Sequence, residues 1–406
     1  MQINSWNSPP LVRGNSNLSP LPFGERIKVR GSFGSLRMLH GELVEPSPLP
    51  RTLPACRQAR SHQGRGKKIE VFLENIITYS KSYTLVLTHS CANQCLYCGF
   101  RKKDEGIITF SDAEEIIKTA KEKGHWEILV MSGEKPQKIR KVSSSFKNLG
   151  YKDFTSFALD ICKLILKNSL LPHTNIGVLS CEGLNRLKRY NASMGIMLEN
   201  INMRFGRTVH PQKNINERLR VIKDAGKLRI PFTTGILIGL GEAREDRRNS
   251  LKAIIELHNK YNHIQEIILQ NFTPNRRSKI RIPDPITAED WQELIRFVKD
   301  NSDIPVQIPQ NLNQDYTRMI KFGASDLGGI SEGEDHVNLD SRWVMIEDIS
   351  KDIESSGHRL KGRLPIYKKY FNLGWYSEEV GNVIKKYLEM EEFAYYKSPQ
   401  LPLTKG

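Results

Sequence analysis

Short apolar runs alternate with amphipathic helical runs along this chain from residue 69 onward. Residues 83–88 and 126–131 are strand-like, and residues 109–124 between them have helical periodicity. Nearly continuous apolar strands separated by helices are typical of parallel sheets that are covered on both faces. Seven or eight such units over about 260 residues predict an α/β fold, a parallel (βα)8 barrel. The alternation continues in residues 153–167, 191–199, 216–226, 231–241, 245–261, 264–270, 288–300, 305–309, 312–322 and 324–329.

An open doubly wound sheet is the alternative. Its first strand would be followed by a Gly-x-Gly-x-x-Gly turn, which this chain lacks after residue 88. Local signals also predict helix ends. Ser111 and Glu114 have the spacing of a capping box, and Gly124 and Gly226 are expected to stop their helices.

Three cysteines lie close together in the loop that follows the first predicted strand. Cys91, Cys95 and Cys98 have the spacing Cys-x3-Cys-x2-Cys, with Tyr97 before the last of them. Three thiolates at this spacing are suited to three irons of a [4Fe–4S] cluster, which leaves the fourth iron without a protein ligand. Loops after barrel strands form the functional mouth of such folds, so we expect the cluster there.

Other uses of cysteine fit less well. A structural zinc site needs a second pair of ligands, and six cysteines without a secretory signal do not indicate a disulfide framework. Cys56 falls in a segment rich in proline and arginine, whereas Cys162 and Cys181 are isolated. We expect Cys162 and Cys181 to be small buried apolar residues.

The net charge of +16 is unevenly distributed. Residues 1–68 contain eleven Lys or Arg and three Glu, together with eight prolines and seven glycines. This composition predicts a disordered leader; it loosely resembles a transit peptide, but a start assigned too far upstream is the interpretation we favour. The remaining cations are scattered, without a nucleic-acid-binding motif or a membrane-spanning apolar run. We therefore expect a cytoplasmic protein with no nucleic-acid or membrane partner.

Beyond the cysteines, the chain resembles radical S-adenosylmethionine (SAM) enzymes, and more narrowly 7,8-didemethyl-8-hydroxy-5-deazariboflavin (FO) synthases of the smaller-subunit type. The most selective runs are Pro-Phe-Thr-Thr-Gly-Ile-Leu-Ile-Gly at 231–239 and Ile-Gln-Glu at 264–266. The loop 273–278 departs from the family pattern, with Arg277 in place of a glycine, and so does 337–340. Further matching runs are 132–136, 171–175, 191–199, 224–226, 263–272, 309–312, 326–331 and 335–338.

The resemblance implies a [4Fe–4S] cluster on the three cysteines and SAM on the open iron. It implies that Tyr97 lies near the adenine, that Glu199 meets the ribose hydroxyls, and that the turn Ser132, Gly133, Glu134 receives the SAM ammonium. Each has a plainer alternative: a packing aromatic, a surface glutamate and an ordinary turn. Gly235 and Gly239, within a strand, allow close approach of either a ligand or a packed neighbour.

Three histidines are candidates for proton transfer, and three amide side chains are candidates for substrate recognition. His173, His210 and His336 are candidates for proton transfer because histidine as a residue type titrates near neutral pH, although a lone histidine is more often structural. Amide side chains at strand ends offer donors and acceptors to a uracil-like ring, or they cap loops. These amides are Gln270, Asn271 and Asn311.

The resemblance also implies a substrate and partners. The substrate would be a hydroxybenzyl adduct of a ribityl-diaminouracil, supplied by a separate tyrosine-using radical SAM subunit, and an electron donor such as ferredoxin or flavodoxin would reduce the cluster. We expect a barrel over residues 69–375 and a helical tail over 376–406. The tyrosine-cleaving partner, a biotin-synthase-like enzyme and a metal-binding scaffold are the alternative functions.

Overall fold

Eight parallel strands form a closed barrel in the computed structural model, which describes residues 75–103, 105–280, 284–335, 338 and 340–397. The strands follow one another in chain order around the barrel, and the first pairs with the eighth to close it. The predicted barrel is confirmed, and closure rules out the open sheet. The predicted leader 1–68 lies outside the described residues. The strands are β1 (Ile76–Thr88), β2 (Glu127–Ser132), β3 (Leu171–Asn175), β4 (Ser193–Gly195), β5 (Phe232–Ile238), β6 (Ile264–Asn271), β7 (Val306–Gln307) and β8 (Asp326–Ile330).

Helices cover the outside of the barrel between successive strands. Within the described ranges, none of them is long and apolar enough to cross a lipid bilayer. The barrel helices are α1 (Phe110–Glu122), α2 (Arg140–Asn148), α3 (Phe154–Lys167), α4 (Cys181–Lys188), α5 (Met203–Val209), α6 (Ile215–Lys227), α7 (Arg244–Tyr261), α8 (Ala288–Asn301) and α9 (Tyr316–Phe322). After β8 come β9 (Gly333–Glu334), β10 (Arg342–Trp343), α10 (Ile346–Ser355), β11 (Arg359–Gly362), α11 (Lys368–Asn372) and α12 (Glu378–Leu388).

The main core lies between the strands and these helices. Helix α3 shows how the pattern produces it: Asp153 caps the helix by accepting a hydrogen bond from the amide of Ser156 (2.7 Å). Phe157, Ile161 and Ile165 then recur every four residues, and all three are fully buried. Strand β5, covered on both faces as parallel strands are, buries every residue.

Helix ends differ in part from the local signals. Thr109 caps α1 by accepting from the amide of Asp112 (3.1 Å), so the capping box predicted at Ser111 and Glu114 is wrong. Gly124 has φ +71° just after α1, as expected of a helix stop. Gly226 instead lies inside α6, where an added Cβ would come within 2.6 Å of the Tyr261 Cβ. Because Gly226 has no side chain, α6 and α7 can approach each other closely.

Three strands differ from the predicted runs. β1 begins at Ile76, seven residues before the expected 83, because its first half pairs with β8 and β11. β3 was not predicted as a strand, and it contains Pro172. β4 has only three residues, and the rest of the predicted run 191–199 is irregular up to an isolated bridge between Glu199 and Ile236.

The segment after α10 forms the floor of the barrel. β11 adds as a ninth, parallel strand beside the first half of β1. The next residue, Arg363, enters the barrel and pairs with Asp326 (2.6 Å) and Glu266 (2.9 Å). Trp126 donates to the Arg363 carbonyl (2.8 Å) and packs on Phe393, so aromatic residues from the last part of the described chain seal this end.

Candidate active site

A cavity of about 390 Å³ occupies the barrel interior. Arg363 and Pro365 line its floor, and residues from the C-terminal ends of the strands line its upper part. Loops at this end of a parallel barrel carry the chemistry in enzymes of this architecture. The cavity is therefore the place to look for the predicted site residues.

The cysteine loop follows β1 and reaches this cavity, which Cys91, Cys95 and Cys98 all line. Two neighbouring segments hold the loop through Leu96. Its amide donates to the carbonyl of Val209 (2.8 Å), and its carbonyl accepts from the amide of Lys279 (2.6 Å). The three thiols are thus brought together at the mouth, as the spacing suggested.

The environment of Cys91 suits a thiolate ligand. Its sulfur accepts hydrogen bonds from the amides of Asn93 (3.4 Å) and Glu134 (3.2 Å). Burial raises the pKa of the Cys91 thiol, and these two amides act in the opposite direction. Burial also raises the pKa of Cys95 to about 11, against the effect of Lys213. Both thiols therefore favour protonation until a metal replaces the proton.

The turn after β2 packs directly against the cysteine loop. The amide of Gly133 donates to the carbonyl of Thr88 (3.0 Å), and the Glu134 carbonyl accepts from Ala92 (2.9 Å). A Cβ added to Gly133 would lie 2.2 Å from the carbonyl oxygen of Ser90, so only glycine fits. The Ser132 hydroxyl donates to the Gly133 carbonyl (2.8 Å), so it is used within the turn.

Glu134 forms a buried ion pair at the wall of the cavity. Its Oε2 binds Nη2 of Arg218, and both side chains are almost fully buried, at 6% and 5% exposure. Its Oε1 and the Nε of Arg218 have no hydrogen-bond partner in the described part of the chain. A buried acceptor beside a buried donor is costly unless a ligand satisfies both. Paired this way, the two groups suit the ammonium and carboxylate of an amino acid.

Glu199 belongs to a second charged group on the same wall. Lys213 binds its carboxylate, and the Lys213 ammonium also donates to the Tyr97 hydroxyl (2.8 Å). Burial opposes ionisation of Glu199, but Lys213 and Arg218 overcome it and lower its pKa. Glu199 has φ +73°, an uncommon conformation for a residue with a side chain. Burial and Glu199 raise the pKa of Tyr97 well above its usual value, so the phenol stays protonated.

The candidate histidines have different positions. His173 lies in β3 at the cavity wall, and its Nδ1 is 2.6 Å from the Ser193 hydroxyl. His210 follows α5, with Nδ1 3.5 Å from the Tyr97 hydroxyl. Burial lowers the pKa of His173 to about 3 and that of His210 to about 4, so both are neutral at pH 7. His336 lies outside the described residues.

The three candidate amides, Gln270, Asn271 and Asn311, all line the cavity. Asn271 donates to the Leu312 carbonyl (3.0 Å), while its Oδ1 lacks a partner among the residues described. Asn311 donates to Asp335 (2.7 Å). Asn271 and Asn311 therefore stabilise loops through the hydrogen bonds that they donate. Both residues also line the cavity, where the Oδ1 of Asn271 is an available acceptor.

Gly235 does not make room for a ligand. A Cβ there would lie 2.1 Å from the Ile268 carbonyl of the neighbouring strand, so the glycine allows close strand packing. Gly239 has φ +87° after β5, and its amide donates to Glu242 (2.8 Å).

Cys162 is buried as expected, whereas Cys181 is exposed at the start of α4. The expectation for Cys181 was wrong because it lies on the outer face of the helix.

Among the described residues, no three His, Cys, Asp or Glu side chains converge to hold a single metal ion. A cubane cluster makes a different demand, since each thiolate binds its own iron. The three cavity-lining thiols, the amides directed at the Cys91 sulfur and the close packing of Gly133 fit such a cluster.

Arg218 and Lys213 are site residues that sequence reasoning missed. Both lie at the start of α6 or just before it, far from the cysteine motif in sequence. A signal was nevertheless present: Arg218 falls between Ile215 and Ile222 on the apolar face of the helix, where a solvated arginine would not be expected. A basic residue on a buried face indicates an internal acidic partner.

Comparisons with known proteins place this chain in a family. Residues 85–254 match the family model of the radical SAM superfamily. The chain is 39% identical over 323 residues to the 7,8-didemethyl-8-hydroxy-5-deazariboflavin synthase of Archaeoglobus fulgidus, covering 79% of this chain and 99% of the relative. The synthase of the same name from Methanococcus aeolicus is 41% identical over 321 residues, which cover 76% of this chain and 89% of the relative.

Solved structures support the fold alone, because their sequence identities are low. The hydrogenase maturase HydG of Carboxydothermus hydrogenoformans aligns with a TM-score of 0.57 at 19% identity, covering 81% of this chain and 82% of the other. Methylornithine synthase aligns with a TM-score of 0.56 at 16% identity, covering 72% and 85%. The family resemblance drawn from the sequence is confirmed. The chain belongs to the 7,8-didemethyl-8-hydroxy-5-deazariboflavin synthases, which are radical SAM enzymes.

Proposed function

We propose that this chain closes the FO ring system on 5-amino-5-(4-hydroxybenzyl)-6-(ribitylimino)-dihydrouracil, the hydroxybenzyl adduct of a ribityl-diaminouracil. In the balanced reaction the adduct loses ammonia, two electrons and two protons, while SAM accepts two electrons and one proton to give methionine and 5′-deoxyadenosine. The observation that carries the proposal is that three thiols, an unsatisfied acid–arginine pair and several amides line one cavity.

Cys91, Cys95 and Cys98 would hold a [4Fe–4S] cluster as thiolates, and the amides of Asn93 and Glu134 would stabilise the charge on the Cys91 sulfur. When bound, the cluster and SAM would supply the hydrogen-abstracting 5′-deoxyadenosyl radical, which no side chain can provide. The protein would contribute position and exclusion of water.

The charged groups on the wall suit the two ends of SAM. Glu134 Oε1 would accept from the ammonium, and Arg218 Nε would donate to the carboxylate, which would satisfy both buried atoms. Glu199 would accept from the ribose hydroxyls, with Lys213 holding its carboxylate, and Tyr97 would lie beside the adenine. In this arrangement Ser132 and Gly133 shape the turn that carries Glu134.

The remaining cavity suits a polar, uracil-like ring. Gln270, Asn271 and Asn311 would offer amide groups to its carbonyls and N–H groups, and the free Oδ1 of Asn271 is an acceptor for an N–H. His173 lines the cavity as a neutral imidazole, and because its pKa is lowered to about 3 it would form a hydrogen bond with the substrate rather than take up a proton. His210 is placed instead behind Tyr97, and it would orient that phenol.

An anaerobic assay tests the function. Reconstituted enzyme, SAM, a reductant and the adduct made by a separate tyrosine-using partner enzyme should release 5′-deoxyadenosine and fluorescent FO. Failure of fully iron-loaded enzyme to form either product would refute the proposal. With tyrosine and the diaminouracil but no partner, no adduct should form, and its formation would identify the tyrosine-cleaving activity instead.

The cluster ligands are tested separately from turnover. Cys91→Ala, Cys95→Ala and Cys98→Ala should each lose both iron with its visible absorbance and product formation. Cys181→Ala is the matched control, because it removes an exposed thiol outside the cavity and should retain both. Full iron and sulfide content in any of the three variants would exclude that cysteine as a ligand.

A further inference from the structure

The floor of the cavity is polar, and its groups already satisfy one another. The Glu266 carboxylate accepts hydrogen bonds from the hydroxyls of Thr233 (2.8 Å) and Tyr367 (2.9 Å) and from the Arg363 guanidinium (2.9 Å). Arg363 also binds Asp326 through two of its nitrogens. These groups hold the floor together, and they leave little hydrogen-bonding capacity for a ligand.

His173, in β3, has a hydrogen-bonding role that its neighbours determine. The Ser193 hydroxyl lies 2.5 Å from the Pro365 carbonyl oxygen, which can only accept, so the single hydroxyl proton is used there. Nδ1 of His173 is 2.6 Å from the same hydroxyl oxygen and must therefore donate to it. Burial lowers the pKa of His173 to about 3, so the ring is neutral and its Nε2 carries no proton. His173 lines the cavity and Nε2 has no partner among the described residues, so an acceptor is left for a ligand.

Glu127, at the start of β2, is a buried carboxyl that also lines the cavity. It is 6% exposed, and Ser82 donates to its Oε1 (3.2 Å). Within the described ranges it forms no ion pair, and burial raises its pKa. A buried carboxyl of this kind is costly unless hydrogen bonds satisfy it. Glu127 therefore suits a neutral, hydroxylated ligand that can supply those bonds.

The side chains of Thr84 in β1 and Gln307 in β7 also line the cavity. Neither has a hydrogen-bond partner in the part of the chain that the structure describes. Gln307 is 8% exposed and pairs in register with Asp326 of the floor. Its amide lies over Gly328, where an added Cβ would be 2.0 Å from Nε2. A buried amide without partners carries a free-energy cost that a ligand can remove.

Strand register places these groups together, just above the floor. Thr84 and His173 are both register partners of Leu129, which follows Glu127 by two residues toward the mouth. Inward side chains of neighbouring strands fill a parallel barrel in layers, so these groups surround one level of the cavity. The members of this deep polar layer are Thr84, Glu127, His173 and Gln307.

The chemistry of the deep polar layer matches the tail of the proposed substrate better than its rings. The groups come from β1, β2, β3 and β7, so they lie around the barrel wall rather than at one point. A phenol has a single hydroxyl and could satisfy one of them. A flexible ribityl chain carries hydroxyls on successive carbons, each of which can donate and accept. Ring closure must occur near the SAM-binding groups at the mouth, whereas no bond within the tail changes.

We propose that the deep polar layer binds the ribityl hydroxyls of the substrate, so that the tail points to the barrel floor and the rings face the mouth. This inference rests on the proposed function, from which it takes the substrate. His173 Nε2 would accept from one hydroxyl and Glu127 from another. The Gln307 amide and the Thr84 hydroxyl would bind the hydroxyls that remain.

Binding of FO and of an analogue without the tail tests this orientation. Equilibrium dialysis of the reconstituted enzyme compares the Kd of FO with that of an analogue in which a methyl group replaces the ribityl chain. The double variant Thr84→Val/Gln307→Met removes a hydroxyl and an amide at nearly constant volume. It should raise the Kd of FO at least about tenfold and leave the Kd of the analogue within about twofold of the wild type.

Thr234→Val is the matched control. Thr234 lies in β5, and its buried hydroxyl also lacks a partner among the described residues, but it does not line the cavity. This variant should bind both ligands as the wild type does. Thr84→Val alone is isosteric, so it provides the test if the double variant does not fold. It should raise the Kd of FO about fivefold.

Equal affinity of the wild-type enzyme for FO and the analogue would overturn the inference, because the tail would then make no favourable contacts. An unchanged Kd of FO in the deep-layer variants, or an equal rise in Thr234→Val, would also overturn it. Equal loss of both ligands would place a ring in the deep polar layer instead. The proposed function fails differently: iron-loaded wild-type enzyme would form no FO from the adduct, and the dialysis experiment does not depend on turnover.

Discussion

Gly133 offers a sharp test of how tightly the turn after β2 packs on the cysteine loop. In Gly133→Ala the new Cβ would lie 2.2 Å from the Ser90 carbonyl oxygen and 2.6 Å from the Cys91 Cβ. Ordinary contacts begin at 3.4 Å, so the backbone of one segment must retreat by about 1 Å. Neither clashing atom is the flexible end of a side chain, so local rotation cannot relieve the overlap.

Overpacking of this kind costs roughly 1–3 kcal/mol. If the cysteine loop keeps its position, the cost falls on the free energy of unfolding of the metal-free protein. If the loop moves, the thiols leave their positions, and about 2 kcal/mol corresponds to about thirtyfold weaker cluster binding. Functional groups tolerate displacements of only about 0.5 Å, so we expect the second effect to dominate activity.

The assay combines iron and sulfide content after anaerobic reconstitution with chemical denaturation of the metal-free protein. Gly183→Ala in α4 is the control, since its Cβ would be 3.3 Å from the Ser180 hydroxyl and alanine favours helix. Wild-type iron content together with wild-type stability in Gly133→Ala would refute the packing argument. Loss of iron in the control as well would show that the loss is not specific to the loop.

Three further outcomes follow from buried groups. Burial raises the folded-state pKa of Glu266 from 4.5 to about 7, so the free energy of unfolding should fall by about 2 kcal/mol between pH 5 and 7; Glu266→Gln should flatten that fall in denaturation at several pH values. Arg218→Met leaves Glu134 charged and unpaired, which should cost about 3–5 kcal/mol in denaturant unfolding and weaken SAM retention in equilibrium dialysis; unchanged values for both would contradict the pairing. Phe393→Ala should cost about 3–5 kcal/mol and red-shift the fluorescence of Trp126, against which Phe393 packs; no change would mean that this seal is dispensable.

The barrel could be predicted because its signals are local and repeated. Strands such as residues 232–238 are rich in apolar and β-branched residues. Helices such as 154–167 place buried apolar residues at intervals of three or four. The cysteine loop was equally visible, since its three thiols lie within eight residues. β3, which contains a proline, was not predicted, and β4 is much shorter than the predicted run 191–199, because pairing with neighbours, rather than composition, makes them strands.

The charged partners could not be found from motifs. Glu134 and Arg218 are 84 residues apart, and only the fold brings them into contact. The same holds for the floor, where Arg363 meets Glu266 from 97 residues away. Side chains that complete a site from another element leave no spacing pattern, although a charge on an apolar helix face is a usable sign.

The ninth strand has a consequence for the order of folding. The first half of β1 takes β8 and β11 as its neighbours, and the Thr78 hydroxyl donates to the carbonyl of Ser325, 247 residues later. A chain emerging from the ribosome must therefore keep that half of β1 as an open sheet edge until most of the protein has been made. Such edges are slow to close and prone to aggregate. The enzyme should depend on chaperones during synthesis more than its finished barrel would suggest.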